Sequence, residues 1–376
     1  MTPLLLHVFP SFAVGGAQVR MAAIANRFPG RWRHVVVALD GNIACAARLA
    51  ADVDVRLETL PFAPGTGLPG RLTAISRLLR ALRPDLLITS NWGSIEFALA
   101  NRLHPRRPHL HLEDGFGPEE RSVQLPRRVL ARRLTLGRSV VVLPSETLLA
   151  LATGVWRLPP ANCRLIPNGV DLRRLHPGLH RGPRAAAPGP TINGPTINGM
   201  VIGTTAALRP EKNIGRLLRA FALLADDGHG QRLHILGDGP LRASLEAEAA
   251  ALGIAGRTRF LGHVPDPAAA LRDMDIFALS SDTEQMPFAV LEAMASGLPV
   301  VSTDVGDVRR MLSAENRPHV TACTDAGLAD GLRPLLRDPS LRATMGAANR
   351  ARAEATYDEE AMFQAHATLI DSLARP

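Results

Sequence analysis

Lysine is almost missing from this chain. Of 43 basic side chains in 376 residues, 42 are arginine and one is Lys212. The abundance of Arg, Ala, Gly and Pro points to a GC-rich coding sequence that has turned surface lysine into arginine. The surviving ammonium then marks a place that needs a compact point charge rather than a planar guanidinium fork. Cysteine is nearly as scarce. Cys45, Cys163 and Cys323 are far apart, odd in number and without CxxC spacing, which excludes a disulfide framework and a zinc site and predicts a reducing, cytoplasmic setting. Aromatics make up 4% of residues, and no helix-turn-helix, zinc or RNA-stacking signature occurs, so nucleic acid is not an expected partner. No stretch reaches the ~18 apolar residues of a membrane span. The opening Met1–Ala17 is apolar but lacks a basic segment and is interrupted by His7 and Pro10, so Leu4–Phe9 reads as a first buried strand rather than part of a signal peptide.

What is present is length, uneven charge and alternation. A chain of 376 residues exceeds one comfortable core and predicts two domains. Residues 1–180 hold 23 basic against 12 acidic side chains, and the remainder 20 against 23, so the halves carry +11 and −3. The basic half calls for an anionic partner, membrane headgroups or a phosphorylated acceptor. Within it, Arg121–Arg138 interleaves Arg127, Arg128, Arg132 and Arg133 with Val129, Leu130 and Leu134, the pattern of a basic amphipathic helix on anionic lipid.

Short apolar runs alternate with helical patterns: Leu4–Phe9, His34–Leu39, Leu86–Thr89, His109–Leu112 and Val140–Leu143, then Val201–Thr204, Leu233–Leu236, Arg259–Leu261, Ile276–Leu279 and Pro299–Ser302. Two such series predict two doubly wound α/β domains with parallel sheets. The expected division is 1–180, a linker at 181–199 and 200–376, with a last helix at about 357–373 free to pack back on the first domain. His176–Met200 is rich in Pro, Gly and Arg, and it holds Pro-Thr-Ile-Asn-Gly twice in tandem, at 190–194 and 195–199, the mark of a duplication in a tolerant loop.

The run Ser280–Val301 carries the strongest chemical signal. Glu284 and Glu292 lie in one strand-loop-helix unit, with Pro287 suited to the first helical position and Gly297 and Pro299 to the stop. Two carboxylates so placed can hold two parts of a polyhydroxyl ligand. Arg209 and Lys212 follow the end of the Val201–Thr204 strand, where ligands of open α/β sheets collect, and two fixed cations there suit a diphosphate leaving group. Gly15 and Gly16 follow the first strand and precede a helix expected from about Gln18, which places free N–H groups near a phosphate. Three other motifs read as structural: Gly237-Asp238-Gly239, which has Arg242 where a third glycine belongs, and the metal-like Asp52-Val-Asp54 and Asp273-Met-Asp275. No metal site is expected.

Glu284–Glu292 and the continuation LEAMASGLPVVSTDVG resemble the Glu-x7-Glu element of the retaining family-4 glycosyltransferases of the GT-B fold. Leu208–Lys212, Ile166–Asp171, Leu236–Pro240, Phe260–His263 and Gly15-Gly16 are similar to the same family's motifs. The resemblance implies two Rossmann-like domains facing each other across a cleft. It implies a nucleotide-diphosphate sugar, UDP- or GDP-linked, as co-substrate, no other cofactor, and a glycan or lipid-linked acceptor in cell-surface polysaccharide or glycolipid synthesis. Arg209 and Lys212 would bind the diphosphate, Glu292 the ribose hydroxyls and Glu284 the transferred sugar. Gly16 would give an N–H to phosphate, and Gly262 and His263 would face the base. Asn168, Gly237 and Pro287 fall in matching motifs on the donor side.

Two departures stand out. Where the family has glycines after the first Glu, this chain has Gln285-Met286, which alters the sugar contacts expected of that loop. Where members carry a histidine after the fourth strand, the segment reads His109-Leu-His111-Leu-Glu113-Asp114, so either His111 or the pair Glu113 and Asp114 takes that place. The reading is thus a retaining, metal-independent glycosyltransferase, cytoplasmic and at the inner membrane face. Its rivals are a nucleotide-sugar epimerase and a non-catalytic nucleotide-sugar-binding protein.

Overall fold

A computed structural model describes residues 2–116, 120, 124–178, 199–224 and 230–374; all but the last residue of the tandem repeat and of the expected linker lie outside them. The chain divides into two compact units, 1–167 with 360–376, and 168–359.

In the first unit, β1 (Leu4–Phe9), β2 (Arg33–Ala38), β3 (Val55–Glu58), β4 (Leu86–Ser90), β5 (His109–Leu112), β6 (Val140–Leu143) and β7 (Cys163–Leu165) form a parallel sheet in the order β3-β2-β1-β4-β5-β6-β7. Both faces are covered. Along β1, Leu6 and Val8 enter one apolar cluster with Ile75 and Phe97, while Leu5 enters another with Trp32 and Ile88. A continuous apolar strand is the sequence signature of such two-sided burial. The last helix, Glu359–Leu373, supplies Met362, Phe363, Ala367 and Ile370 to the cluster around Leu5, and Asp371 accepts from Trp32 Nε1 at 2.9 Å.

In the second unit, β8 (Val201–Thr205), β9 (Arg232–Leu236), β10 (Thr258–Gly262), β11 (Ile276–Leu279), β12 (Val300–Thr303) and β13 (Val320–Thr321) make a parallel sheet in the order β10-β9-β8-β11-β12-β13. Its two faces are apolar clusters centred on Phe277, Met294 and Val300, and on Leu217, Phe221 and Ile276.

Several expected boundaries shift. The segment 168–178 belongs with the second unit, ahead of the expected division at 180, because Val170 N donates to Tyr357 O at 2.9 Å and Arg350 donates to the Leu172 and Leu175 carbonyls. The last helix, expected at about 357–373, spans Glu359–Leu373 and follows a separate helix, Pro339–Thr356. The first-domain helix starts at Gly16, two residues early, and Pro287 is the cap of its helix rather than the first helical residue. Among the described residues no helix is long and apolar enough to cross a membrane.

Candidate functional site

In an open parallel sheet, ligands collect at the carboxyl ends of strands where the strand order reverses. In the second unit that point lies between β8 and β11, which are neighbours although two strands intervene in sequence. The chain leaving β8 makes a single turn, Pro210–Lys212, and the chain leaving β11 runs through Ser280 to Glu284. Here Lys212 Nζ donates to Glu284 Oε1 at 2.6 Å, and Ser281 Oγ donates to the same oxygen at 2.7 Å. The Lys212 side chain remains 26% exposed and that of Glu284 10%.

Residues that carry no motif hold this pair. Asn213 adopts a left-handed backbone (φ 43°) and caps the helix Ile214–Ala222, its carboxamide oxygen accepting from Arg216 N. Its amide also donates to Asp282 at 3.1 Å. Arg216, buried, bridges Asp282 (2.6 Å) and the Ser280 carbonyl (2.7 Å). Behind Glu284, Gly306 (φ 53°) packs so closely that a Cβ there would stand 2.4 Å from the Glu284 carbonyl, and Asp307 N donates to Gln285 O at 2.9 Å. The Lys212–Glu284 geometry is therefore set by backbone contacts on both sides. Arg209 is exposed beside it, with no ion pair among the described residues.

The other expected donor-side residues fall into two groups. Glu292 is the fifth residue of the helix Phe288–Ala295. Desolvation raises its pKa to about 7, with the Arg174 charge opposing and the Asp266 charge adding to the rise. His263 is exposed, and Gly262 (φ 70°) accepts from Gly237 N at 2.8 Å. Gly237 (φ 130°) is obligatory, since a Cβ would lie 1.9 Å from the Ala206 carbonyl in the loop leading to Arg209. Asn168 and Met286, by contrast, are buried against each other: Asn168 Nδ2 donates to Met286 O at 3.1 Å, and its backbone N to Met286 Sδ at 3.2 Å. They support the loop instead of lining its surface. Gln285 is partly buried, its Oε1 without a hydrogen-bond partner among the described residues.

The first unit has its own reversal point, between β1 and β4. The helix Gly16–Arg27 begins there with Gly15 as an extended cap, no side chain bonded to its first N–H groups and no acid in its first turn. Arg20, on that helix and only 5% exposed, grips Asp114 through two bonds of 2.6 and 2.9 Å. Asn91, left-handed at the end of β4 (φ 58°), accepts from Asp114 N at 2.8 Å. The Asp114 side chain stays 19% exposed.

Of the expected alternatives, His111 or the pair Glu113 and Asp114, only Asp114 keeps a partly exposed side chain, and His111 and Glu113 are interior. Both are wholly buried. The Thr89 hydroxyl lies 2.8 Å from His111 Nδ1 and 2.8 Å from His109 Nε2. Glu113 Oε2 accepts from Arg132 Nε at 3.2 Å. Arg132, also wholly buried, reaches Glu120 with two further bonds of 3.2 Å and lies against the rings of Trp92, Phe116 and Trp156. Burial opposes ionisation of Glu120, but the bonds from Arg132 and Arg128 outweigh it and hold its carboxyl below the ordinary range. Of the helix expected on anionic lipid, the helical part is Pro126–Leu136; Arg128 and Arg132 turn to Glu120, and Arg127 and Arg133 stay exposed. Arg121 lies outside the described residues.

Comparison with known proteins gives a consistent picture. The family described as Glycosyltransferase Family 4 matches residues 14–174, and that described as Glycosyl transferases group 1 matches residues 196–352. Among curated relatives, the putative glycosyltransferase EpsF of Bacillus subtilis is 28% identical over 74% of this chain and 70% of its own. A GDP-mannose-dependent phosphatidylinositol dimannoside mannosyltransferase of Mycobacterium tuberculosis is 29% identical over 72% and 70%. Among solved structures, HepE of Anabaena in complex with UDP superposes with a TM-score of 0.78 over 98% of this chain and 99% of that one, at 20% identity, a likeness of fold.

Proposed function

The chain belongs to the family-4 glycosyltransferases of the GT-B fold, and on that premise we propose that it transfers a sugar, with retention, from a UDP- or GDP-sugar to a glycan or lipid-linked acceptor. The observation that carries the reading is the Lys212–Glu284 pair, 2.6 Å apart at the carboxyl ends of β8 and β11. Lys212 and Arg209 are two cations without a metal's geometric demands. As the anomeric C–O bond breaks, negative charge gathers on the departing diphosphate, and fixed positive charges stabilise that state more than the ground state. Glu284 then has a double part: it orients the ammonium and offers its second oxygen to hydroxyls of the transferred sugar.

Glu292 takes the ribose hydroxyls, and Gly262 and His263 lie toward the base. Asn168, Gly237 and Met286 act as supports. In the first unit, the uncapped helix start at Gly16 donates to phosphate, and Asp114, held by Arg20, meets the acceptor. Retention follows if the acceptor hydroxyl attacks the face that the diphosphate leaves. Its proton passes to a phosphate oxygen as the new C–O bond forms, so no protein nucleophile and no metal are needed. The phosphatidylinositol dimannoside mannosyltransferase among the relatives favours a glycolipid product, made in the cytoplasm at the inner membrane face.

The test is a transfer assay with UDP- and GDP-sugars, a bacterial lipid extract as acceptor and excess EDTA. Nucleoside diphosphate released in step with a glycosylated lipid of unchanged anomeric configuration supports the reading. Donor epimerised without acceptor, or inverted product, overturns it.

A further inference from the structure

We propose, on the reading above that Asp114 meets the acceptor, that Thr89 is a positioning residue for Asp114, acting through His111 and Glu113. The segment His109-Leu-His111-Leu-Glu113 alternates polar and apolar residues along β5 and just past it, and side chains two apart share a face. Leu110 joins the apolar cluster that the last helix covers. His109, His111 and Glu113 therefore turn to the opposite face, where Arg132 of the helix Pro126–Leu136 meets Glu113. Thr89 stands in register with His111 on the neighbouring β4, and Ser139 immediately precedes β6. One chain of contacts results. Ser139 Oγ lies 2.7 Å from His109 Nδ1, and Thr89 Oγ1 lies 2.8 Å from both His109 Nε2 and His111 Nδ1. His111 Nε2 then faces Glu113 Oε2 at 3.5 Å.

Counting hydrogens gives the chain a direction. Glu113 Oε2 already accepts from Arg132 Nε, so the hydrogen facing it sits on His111 Nε2. A neutral imidazole has one donor and one acceptor, which leaves His111 Nδ1 to accept. The Thr89 hydroxyl has a single hydrogen; it donates to His111, and its oxygen accepts from His109 Nε2–H. His109 Nδ1 in turn accepts from Ser139. Because both histidines share Thr89, losing its hydroxyl leaves a donor on His109 and an acceptor on His111 unpaired at once. The consequence falls on Glu113, whose Oε1 has no hydrogen-bond partner among the described residues. A wholly buried carboxylate with one oxygen unpaired cannot lose a donor at the other without moving. The next residue is Asp114, whose carboxylate meets Arg20 through two bonds.

The experiment is the transfer assay, with bacterial lipid extract as acceptor, on Thr89→Val, which removes the hydroxyl, on Thr89→Ser, which restores it, and on Asp114→Ala. Thr89→Val should raise the extract concentration at half-maximal rate by about tenfold, the scale of one lost hydrogen bond. The maximal rate and the melting response to nucleotide-sugar should hold, and Thr89→Ser should recover the wild-type value. A merely structural threonine would lower the melting temperature without that selective change. If Asp114→Ala raises the half-maximal concentration and Thr89→Val does not, the proposal is overturned and the acceptor reading stands; if Asp114→Ala does not raise it, both are overturned. Histidine 15N NMR of the wild type tests the chain whatever the variants do. Both His109 and His111 should carry their hydrogen on Nε2, and Nδ1–H on either overturns the proposal.

Discussion

In the first unit, His7, His34, His111, His366, Arg20, Arg132 and Glu113 all lie in the interior and His109 is half-buried, whereas in the second Lys212, Arg209, Glu284 and Glu292 remain at least partly open to solvent. The interior groups of the first unit answer one another. His7 Nε2 and His34 Nδ1 are 3.1 Å apart, His109 joins Ser139 to Thr89, and Arg132 joins two carboxylates inside an aromatic cage. The second unit buries mostly uncharged polar groups, and several interior ones, such as Arg216 and Asn168, fix the loops that present charge. Charge type alone therefore does not identify a site. A charged residue buried against its partners serves the fold, and one held by partners but still accessible is available to a ligand.

That contrast can be broken by acid. Burial lowers the pKa of His34 to about 4 and of His109 and His366 to about 3. Each is neutral in the fold and binds a proton more readily when unfolded. Their contribution is thus intact above the ordinary value near 6.5 and is lost as pH falls toward 4 and below. All three tryptophans, Trp32, Trp92 and Trp156, lie in the first unit, so tryptophan fluorescence reports on it alone. The first unit should lose on the order of several kcal/mol between pH 6.5 and 4, with the fluorescence transition moving to lower denaturant. A transition independent of pH over that range would show that these histidines are not held neutral.

A smaller effect is expected from Arg132→Met, which strands Glu113 and part of Glu120. Removing one partner of a buried pair costs about 3–5 kcal/mol, and the same fluorescence transition should record it. A cost below about 1 kcal/mol would place Arg132 in solvent-like surroundings.

The smallest effect belongs to the second unit. With its pKa at about 7, Glu292 is half protonated near neutrality. If ribose hydroxyls donate to its carboxylate, donor affinity should rise as pH rises through 7, by up to about tenfold per pH unit below that value. Binding should also release protons, visible as a buffer-dependent enthalpy. Glu292→Gln should flatten the profile, and a flat wild-type profile would remove Glu292 from the ribose.

How much of this was legible in the sequence depended on how local its cause was. The interior strands are apolar on both faces and were readable as continuous runs; β1, β5, β6 and β11 begin and end at the expected residues. The strands that escaped, β3, β7 and β13, stand at sheet edges, are short and include exposed or half-exposed residues, so no apolar run marks them. The return of 168–178 to the second unit rests on bonds to Tyr357 and Arg350, partners nearly two hundred residues away. Lys212 was visible through composition, and Glu284 and Glu292 through their spacing. The interior fate of His111 and Glu113 was not visible, because strand alternation does not say which arginine of a later helix will cover them. Asn213, Asp282, Arg216 and Arg20 were missed because each works through a partner distant in sequence.

The most direct test of the account is the melting temperature of the purified protein against UDP-, GDP-, ADP- and TDP-sugars, repeated with Lys212→Ala and Glu292→Ala. A ligand that prefers the folded state raises that temperature by mass action. The account predicts a rise with one class of nucleotide sugar, lost in both variants while their unliganded melting temperatures stay near that of the wild type. No rise with any nucleotide sugar, or a rise that survives Lys212→Ala, would contradict it.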